Sequence, residues 1–361
     1  MAPITLNVLL KVMVQNQASD LHIRGNSQVF LRIHGNITPI NGSEMSEEQV
    51  EAMIRPLFNE RLSKIYAEHH EVDFSYDGGE QLGRFRFNVY RHKEKTGVSV
   101  RHIPLQIPTM EQLRLPVNSI KKLLENERGI ILVTGITGSG KSSTLASVIE
   151  YINQRKSLHI ITIEDPIEFT FKEKRSIISQ REIGTDTNNF IDALRASLRQ
   201  DPDIILVGEM RDLETVSAAI TAAETGHLVF GTLHTLNAVQ TISRVVDMFP
   251  PHQQNQIRLQ LSETLKGVLS QRLLPCLKGG RVPAVEVMNV TPNIKKLIEN
   301  ADQGGIVESI EKGSYYGMQS FNQALITLYN EGMADMEQVL AAATNPDDVR
   351  LAIRGITQSN D

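Results

Sequence analysis

At 361 residues the chain is long enough for two domains with substantial cores. A net charge of -5, 5% aromatic residues and no tryptophan argue against a broadly cationic, base-stacking surface, so no nucleic-acid partner is expected. The single cysteine, Cys276, excludes a disulfide framework and a four-cysteine zinc site and fits a reducing, cytoplasmic setting.

The opening MAPITLNVLLKVMVQNQ lacks the basic start and small-residue cleavage site of a secretory signal; Ile4, Leu6, Leu9, Leu10, Val12 and Met13 have instead the spacing of a packed amphipathic helix. Up to about residue 103, the short alternating runs QVFLRIHG, VDFSYDG, GRFRFNVYRH and GVSVRHI predict an antiparallel sheet in a small α+β domain. Pro104, Pro108 and Pro116 then hinder regular structure, and 104–118 is expected to be an interdomain linker. From 119 onward GIILVTG, LHIITIED, DIILVGE and HLVFGTLH are apolar runs separated by helical stretches, the pattern of a mostly parallel sheet covered by helices. Beyond about 236 the spacing predicts mainly helix, running through QQNQIRLQLSETLKGVLSQRLL. No apolar run approaches the roughly 20 residues that span a bilayer, so direct membrane insertion is not expected.

The sharpest local signal is GITGSGKSS (135–143), which satisfies G-x-x-x-x-G-K-[ST] with Gly135, Gly140, Lys141 and Ser142 between a strand-like and a helix-like run. Glycines at 135, 138 and 140 let backbone N–H groups approach phosphate oxygens at the positive end of the following helix. Lys141 has the reach for the β- and γ-phosphates, and the Ser142 hydroxyl is a ligand for Mg2+. Thr137, Gly138, Ser139 and Ser143 complete the expected nucleotide contacts, so ATP and Mg2+ are the expected cofactors.

Such a loop needs carboxylates at neighbouring strand ends to hold Mg2+ and orient water. IITIEDPIEF supplies Glu164 beside Asp165, where Pro166 stops the ladder, and DPDIILVGEMRD supplies Glu209 after Gly208. The residues alone leave open which of the two activates water and which holds the metal. In GHLVFGTLHT, His227 and His234 are seven residues apart. In a strand they fall on opposite faces about 23 Å apart, and in a helix about 10 Å apart, so neither conformation lets them share a metal. His234 ends its strand as Glu209 ends its own and is expected to report the γ-phosphate; His227 is expected to be a lesser cofactor contact or to couple to a neighbouring domain or subunit.

In order along the chain, GITGSGKSS, TIEDPIEF, DPDIILVGEMRDLET and TAAETGHLVFGTLHT resemble the four nucleotide-site boxes of the type II/IV secretion ATPase superfamily. Within it the chain resembles the PilT/PilU-like family of type IV pilus retraction ATPases over nearly its full length: ASDLHI (18–23) and RFRFNVY (84–90) match that family's PAS-like N-terminal domain, and GMQSFNQAL (317–325) its C-terminal helices. The resemblance implies a PAS-like domain (1–103), a linker, and a RecA-like P-loop domain with C-terminal helices (119–361). It also implies a homohexameric motor in the cytoplasm, at the inner-membrane pilus machinery. Such a motor retracts pili for twitching motility with a membrane platform protein and a paralogous retraction or extension ATPase as partners. It makes Glu164 the catalytic glutamate and Glu209 the Walker B glutamate, and it implies arginines near the γ-phosphate, for which Arg84 and Arg101, and less so Arg86, are the candidates.

One region departs from the family pattern. Retraction motors usually carry A-I-R-N-L-I-R-E, whereas TPNIKKLIEN (291–300) keeps Ile294, Lys295, Leu297 and Ile298 but ends in Glu299-Asn300. This favours, as the alternative, an accessory PilU-like motor. Extension and type II secretion ATPases usually carry an extra N-terminal domain and a four-cysteine motif, neither of which occurs here. Two readings of other classes are a nucleic-acid motor and a nucleotide-gated scaffold.

Overall fold

The structure, a computed structural model, describes residues 4–33, 35–79, 81–103 and 106–354. The chain divides into two compact units, Met1–Gln106 with Glu168–Thr170, and Ile107–Ile167 with Phe171–Asp361.

In the first unit the helix Leu6–Gln15 buries Leu6, Leu9, Leu10 and Met13, the stripe its sequence spacing predicts. Six strands follow: β1 (Asp20–Arg24), β2 (Phe30–Ile33), β3 (Asn36–Pro39), β4 (Glu71–Asp77), β5 (Arg84–His92) and β6 (Lys95–Ile103). They form one antiparallel sheet in the order β3-β2-β1-β6-β5-β4. Alternation decides its faces. Leu21, Ile23, Phe85, Phe87, Val89, Val98 and Val100 enter the core, and the residues between them carry the polar face. Helix Glu47–Ile54 starts at a reciprocal capping box between Ser46 and Gln49, and helix Glu60–His69 starts at an Asn59 cap.

The second unit is built on a seven-stranded sheet of β7 (Gly129–Thr134), β8 (His159–Glu164), β9 (Ile177–Glu182), β10 (Ile204–Val207), β11 (Leu228–Leu233), β12 (Leu265–Pro275) and β13 (Arg281–Asn289). The order is β13-β12-β7-β11-β10-β8-β9, parallel except for the β12–β13 hairpin at one edge. Every residue of β7, β10 and β11 is buried, because helices cover both faces. Ile130 and Leu132 join one core with Ile205, Val207 and Val229, while Ile131 and Val133 join the other with Leu206 and Phe230. Between 106 and 116 there is neither helix nor strand, yet Met110 and Leu115 are buried among Ile120, Leu123 and Leu145. Pro104 lies outside the described residues.

The expectation of continuous helix through 253–274 is corrected: the helix Pro251–Thr264 ends and β12 begins at Leu265. Leu265, Val268 and Leu269 have helical spacing, but a strand covered on both faces also buries consecutive residues, so periodicity does not separate the two. Gly267 marks the change, since a Cβ there would lie 2.5 Å from Leu123 Cδ2 and 2.8 Å from the Met288 carbonyl. The helical C-terminal region follows β13, where Phe321, Leu325 and Leu328 of the helix Phe321–Asn330 pack with Val282, Ala284, Val339 and Val349. No helix among the described residues is long and apolar enough to cross a membrane.

Candidate nucleotide site

Because β7, β8, β10 and β11 are parallel and in register, their carboxyl ends emerge at one edge of the sheet. Gly135 follows β7, Glu164 closes β8, Glu209 lies two residues beyond β10, and His234 is the first residue after β11.

The loop after β7 turns through Gly135 at φ 142, Gly138 at φ 80 and Gly140 at φ 92. Gly135 is the most constrained: a Cβ there would stand 2.5 Å from both the Gln271 carbonyl and Ser139 Oγ. Gly140 opens the helix Lys141–Asn153, whose buried residues Leu145, Val148, Ile149 and Ile152 seat it on the sheet. Gln271 of β12 fixes the first turn by donating from Nε2 to Thr144 Oγ1 at 2.8 Å. The Lys141 ammonium folds over the loop and donates to the carbonyls of Gly135 (2.7 Å) and Ile136 (3.0 Å). Thr137 and Gly138 are exposed at the tip, Ser139 is buried, and Ser142 and Ser143 are half-buried in the first helical turn. The result is a cradle of backbone N–H groups and one ammonium at a helix N-terminus, a geometry that favours anionic phosphate.

Facing it are two carboxylates. Glu164 is half-buried, and its Oε1 accepts from Thr162 Oγ1 at 2.6 Å and from Gln180 Nε2 at 3.2 Å. The turn beyond it is held by Glu182, a buried carboxylate on β9 that accepts the Ile167 N–H at 3.1 Å. Glu209 follows the close-packed Gly208, whose N–H bonds the Ile163 carbonyl at 2.7 Å and whose carbonyl accepts the Thr232 hydroxyl at 2.5 Å. The Glu209 carboxylate is shared, meeting His234 Nε2 at 2.9 Å and pairing with Arg211. The Glu209 bond and charge raise the Arg211 pKa, and Asp165 adds in the same direction. Arg211 was not anticipated from the sequence, although its position two residues after Glu209 places both on one side of an extended segment.

His227 is not brought to this edge. It precedes β11 at the opposite end, where its carbonyl accepts the Gly129 N–H at the start of β7, about 20 Å of strand away from the loop. Its Nδ1 lies 2.9 Å from the Ala222 carbonyl and 3.2 Å from Thr225 Oγ1, so the ring closes the end of the helix Leu213–Glu224. The expectation that His227 contacts the cofactor of its own chain is corrected accordingly.

In the first unit, Arg84, Arg86 and Arg101 share the polar face of the sheet, because Arg84 and Arg86 alternate with buried Phe85 and Arg86 pairs with Arg101 in register. Arg101 Nε donates to Asp20 Oδ1 at 2.9 Å across β1 and β6, and Arg86 Nε lies 3.6 Å from Asp73. Asp20 is 6% exposed, so the residue preceding the LHI run is a fixed anchor for Arg101.

The altered C-terminal motif forms the helix Pro292–Glu299 with Ile294 and Ile298 buried. Lys295 pairs with Glu263 at 2.8 Å, and Glu299 accepts the Ser262 hydroxyl at 3.0 Å, both on the helix Pro251–Thr264.

Comparison with known proteins bears on this arrangement. The family described as type II/IV secretion system protein matches residues 98–341. The type IV pilus retraction ATPase PilT of Pseudomonas aeruginosa is 43% identical over 340 residues, 94% of this chain and 98% of that protein. The type IV pilus ATPase PilU of the same organism is 38% identical over 347 residues, 96% of this chain and 90% of its own. A crystal structure of the pilus retraction motor PilT with bound ADP superposes with a TM-score of 0.89 at 44% identity, covering 96% of this chain and 98% of that one. The fold is thus a small N-terminal domain joined to a RecA-like ATPase domain, and nucleotide is what the phosphate cradle takes. The chain belongs to the type II/IV secretion ATPases as a member of their PilT family, and it is an ATP-hydrolysing enzyme.

Proposed function

We propose that this enzyme is a type IV pilus retraction motor, coupling ATP hydrolysis to pilus disassembly and so to twitching motility. The observation that carries the reading is the match across 98% of the length of a pilus retraction ATPase, in a chain whose loop, two glutamates and histidine share one sheet edge.

In this reading Lys141 and the loop N–H groups from Gly135 to Ser143 bind the phosphates, with Thr137, Gly138, Ser139 and Gly140 shaping the cradle. Glu164 takes the proton of the attacking water, its Oε1 oriented by Thr162 and Gln180. Glu209 and His234 form the pair that registers the γ-phosphate. The hydroxyl of Ser142 and the carboxylates of Glu164 and Glu209 are hard oxygen donors, a set that fits Mg2+. When bound there, Mg2+ supplies charge neutralisation of the β- and γ-phosphates. Arg84 and Arg101 stabilise charge on the transferring phosphoryl group, and hydrolysis moves the N-terminal domain about the 104–118 segment.

The motor assembles as a homohexamer on the cytoplasmic side of the inner membrane, with a pilus platform protein as partner and a paralogous retraction or extension ATPase beside it. A second reading, an accessory PilU-like motor, rests on the sequence departure at Glu299-Asn300, where the family retraction motif ends in Arg-Glu.

ATPase rates of the wild type and of Lys141→Ala, Glu164→Ala and Glu209→Ala test the site. Each variant is expected to fall by roughly 10²-fold or more, and equal rates in all four would sink the assignment. Deleting the gene in a piliated host, with and without a second retraction motor, separates primary from accessory: loss of retraction despite the second motor supports a primary role. Stimulation of the rate by DNA would instead favour a nucleic-acid motor.

A further inference from the structure

One buried carboxylate has no part in the chemistry above. Glu286 of β13 lies opposite Ser270 of β12 and is 8% exposed. Its Oε1 accepts the backbone N–H of Ala238 at 2.7 Å and the Ser270 hydroxyl at 3.3 Å. Ser270 Oγ in turn accepts from Thr134 Oγ1 at 3.1 Å, and both hydroxyl residues are fully buried. Burial pushes the Glu286 carboxyl above its ordinary range, against the pull of the Ala238 and Ser270 bonds and the Arg272 charge.

The two ends of this chain of bonds give it meaning. Thr134 is the last residue of β7, directly before Gly135 of the phosphate loop. Ala238 is the first residue of the helix Ala238–Asp247, four residues beyond His234. The intervening turn is itself tied to that helix, by Thr235 Oγ1 to Thr241 Oγ1 at 2.6 Å and by the Leu236 N–H to Gln240 Oε1 at 3.3 Å. Where the turn seats therefore follows where the helix begins, and Glu286 holds that point. A carboxylate on the strand face that also carries the fully buried Ala284 and Met288 costs stability that a leucine would not, which is expected of a group kept for geometry rather than for packing.

We propose that Glu286 is a positioning residue for ATP hydrolysis. It ties the start of the helix after His234 to the end of the phosphate-loop strand, and through that tie it sets His234 against Glu209. The inference rests on the reading of His234 as a γ-phosphate sensor.

The test measures kcat and KM for ATP, with thermal melts, for Glu286→Ala, Glu286→Gln and Ser270→Ala, each alone and combined with His234→Ala. Glu286→Ala is expected to lower kcat by roughly 10²-fold through displacement of His234, with KM within about threefold because the phosphate cradle is intact. Glu286→Gln keeps an acceptor for Ala238 and Ser270 and is expected to retain kcat within about threefold. In the His234→Ala background the Glu286 substitution should add less than about threefold, since both act through one group. An equal fall in kcat with and without His234 overturns the inference while leaving the His234 reading standing. A wild-type rate for His234→Ala overturns the His234 reading and this inference with it. Should Glu286→Ala fail to fold, Ser270→Ala decides: a kcat loss that disappears in the His234→Ala background supports the proposal, and an unchanged kcat overturns it.

Discussion

His234 Nε2 lies 2.9 Å from Glu209 Oε1, joining the residue that follows β11 to the segment that follows β10. The same carboxylate pairs with Arg211, so Glu209 is held from two sides, by a ring that is 43% exposed and a guanidinium that is 76% exposed. The two contacts differ in consequence.

An exposed ion pair contributes about 0–1 kcal/mol. Arg211→Ala is therefore expected to leave the melting temperature nearly unchanged, and Glu209→Ala to abolish turnover at low Mg2+ and regain part of it as Mg2+ is raised. Steady-state ATPase assays across a Mg2+ titration check this. A Glu209→Ala profile with the wild-type Mg2+ dependence would remove Glu209 from the metal site.

Glu164 Oε1 accepts from Thr162 Oγ1 and Gln180 Nε2, which fixes the carboxylate at the end of β8. Glu164→Gln should lower kcat by about 10²–10⁴-fold, the range for losing a general base. ADP affinity, read from the fluorescence of a labelled nucleotide, should stay near wild type.

At Gly135 the backbone sits at φ 142, and a methyl group would meet the Gln271 carbonyl and Ser139 Oγ, each at 2.5 Å. Gly135→Ala is expected to destabilise the second unit by about 1–3 kcal/mol and to weaken ADP binding. Denaturant melts together with nucleotide titration measure both. Gly138→Ala, where a Cβ would meet nothing within 4 Å, is expected to show the smaller loss.

Burial opposes ionisation of Glu150, but bonds from Lys174, Gln154 and Asn153 outweigh it and hold the carboxyl below the ordinary glutamate range. A carboxyl depressed on folding adds stability that is present above its unfolded pKa and is lost as pH falls through the folded value. The wild type should exceed Glu150→Gln in urea midpoint at neutral pH, and the difference should close as pH falls below the ordinary glutamate range. A gap independent of pH would assign the effect to packing.

Much of the site was legible because its chemistry is contiguous. A phosphate cradle needs glycines, a lysine and a serine at set spacing, and 135–143 carries them in one run. Glu164 and Glu209 were recognisable as the first charges after buried apolar runs. The strand–helix boundary at Leu265 was not, because a strand covered on both faces buries neighbours as a helix buries a stripe, and only the pairing with β7 distinguishes them. Asp20 beneath Arg101 was equally hidden, since 81 residues separate the partners and β1 meets β6 only in the folded sheet.

The histidines mark the division most clearly. Strand rise and alternation, properties of the local chain, already determined that His227 and His234 serve separate ends, and they are separated by the six residues of β11. Which residues those ends meet was decided by the order of strands in the sheet. Placing β11 between β7 and β10 sets His234 beside the phosphate loop and Glu209, and turns His227 onto the helix Leu213–Glu224. Local spacing encodes what a segment can do; hydrogen bonding between strands distant in sequence selects its partners, and that selection exists only once the sheet has formed.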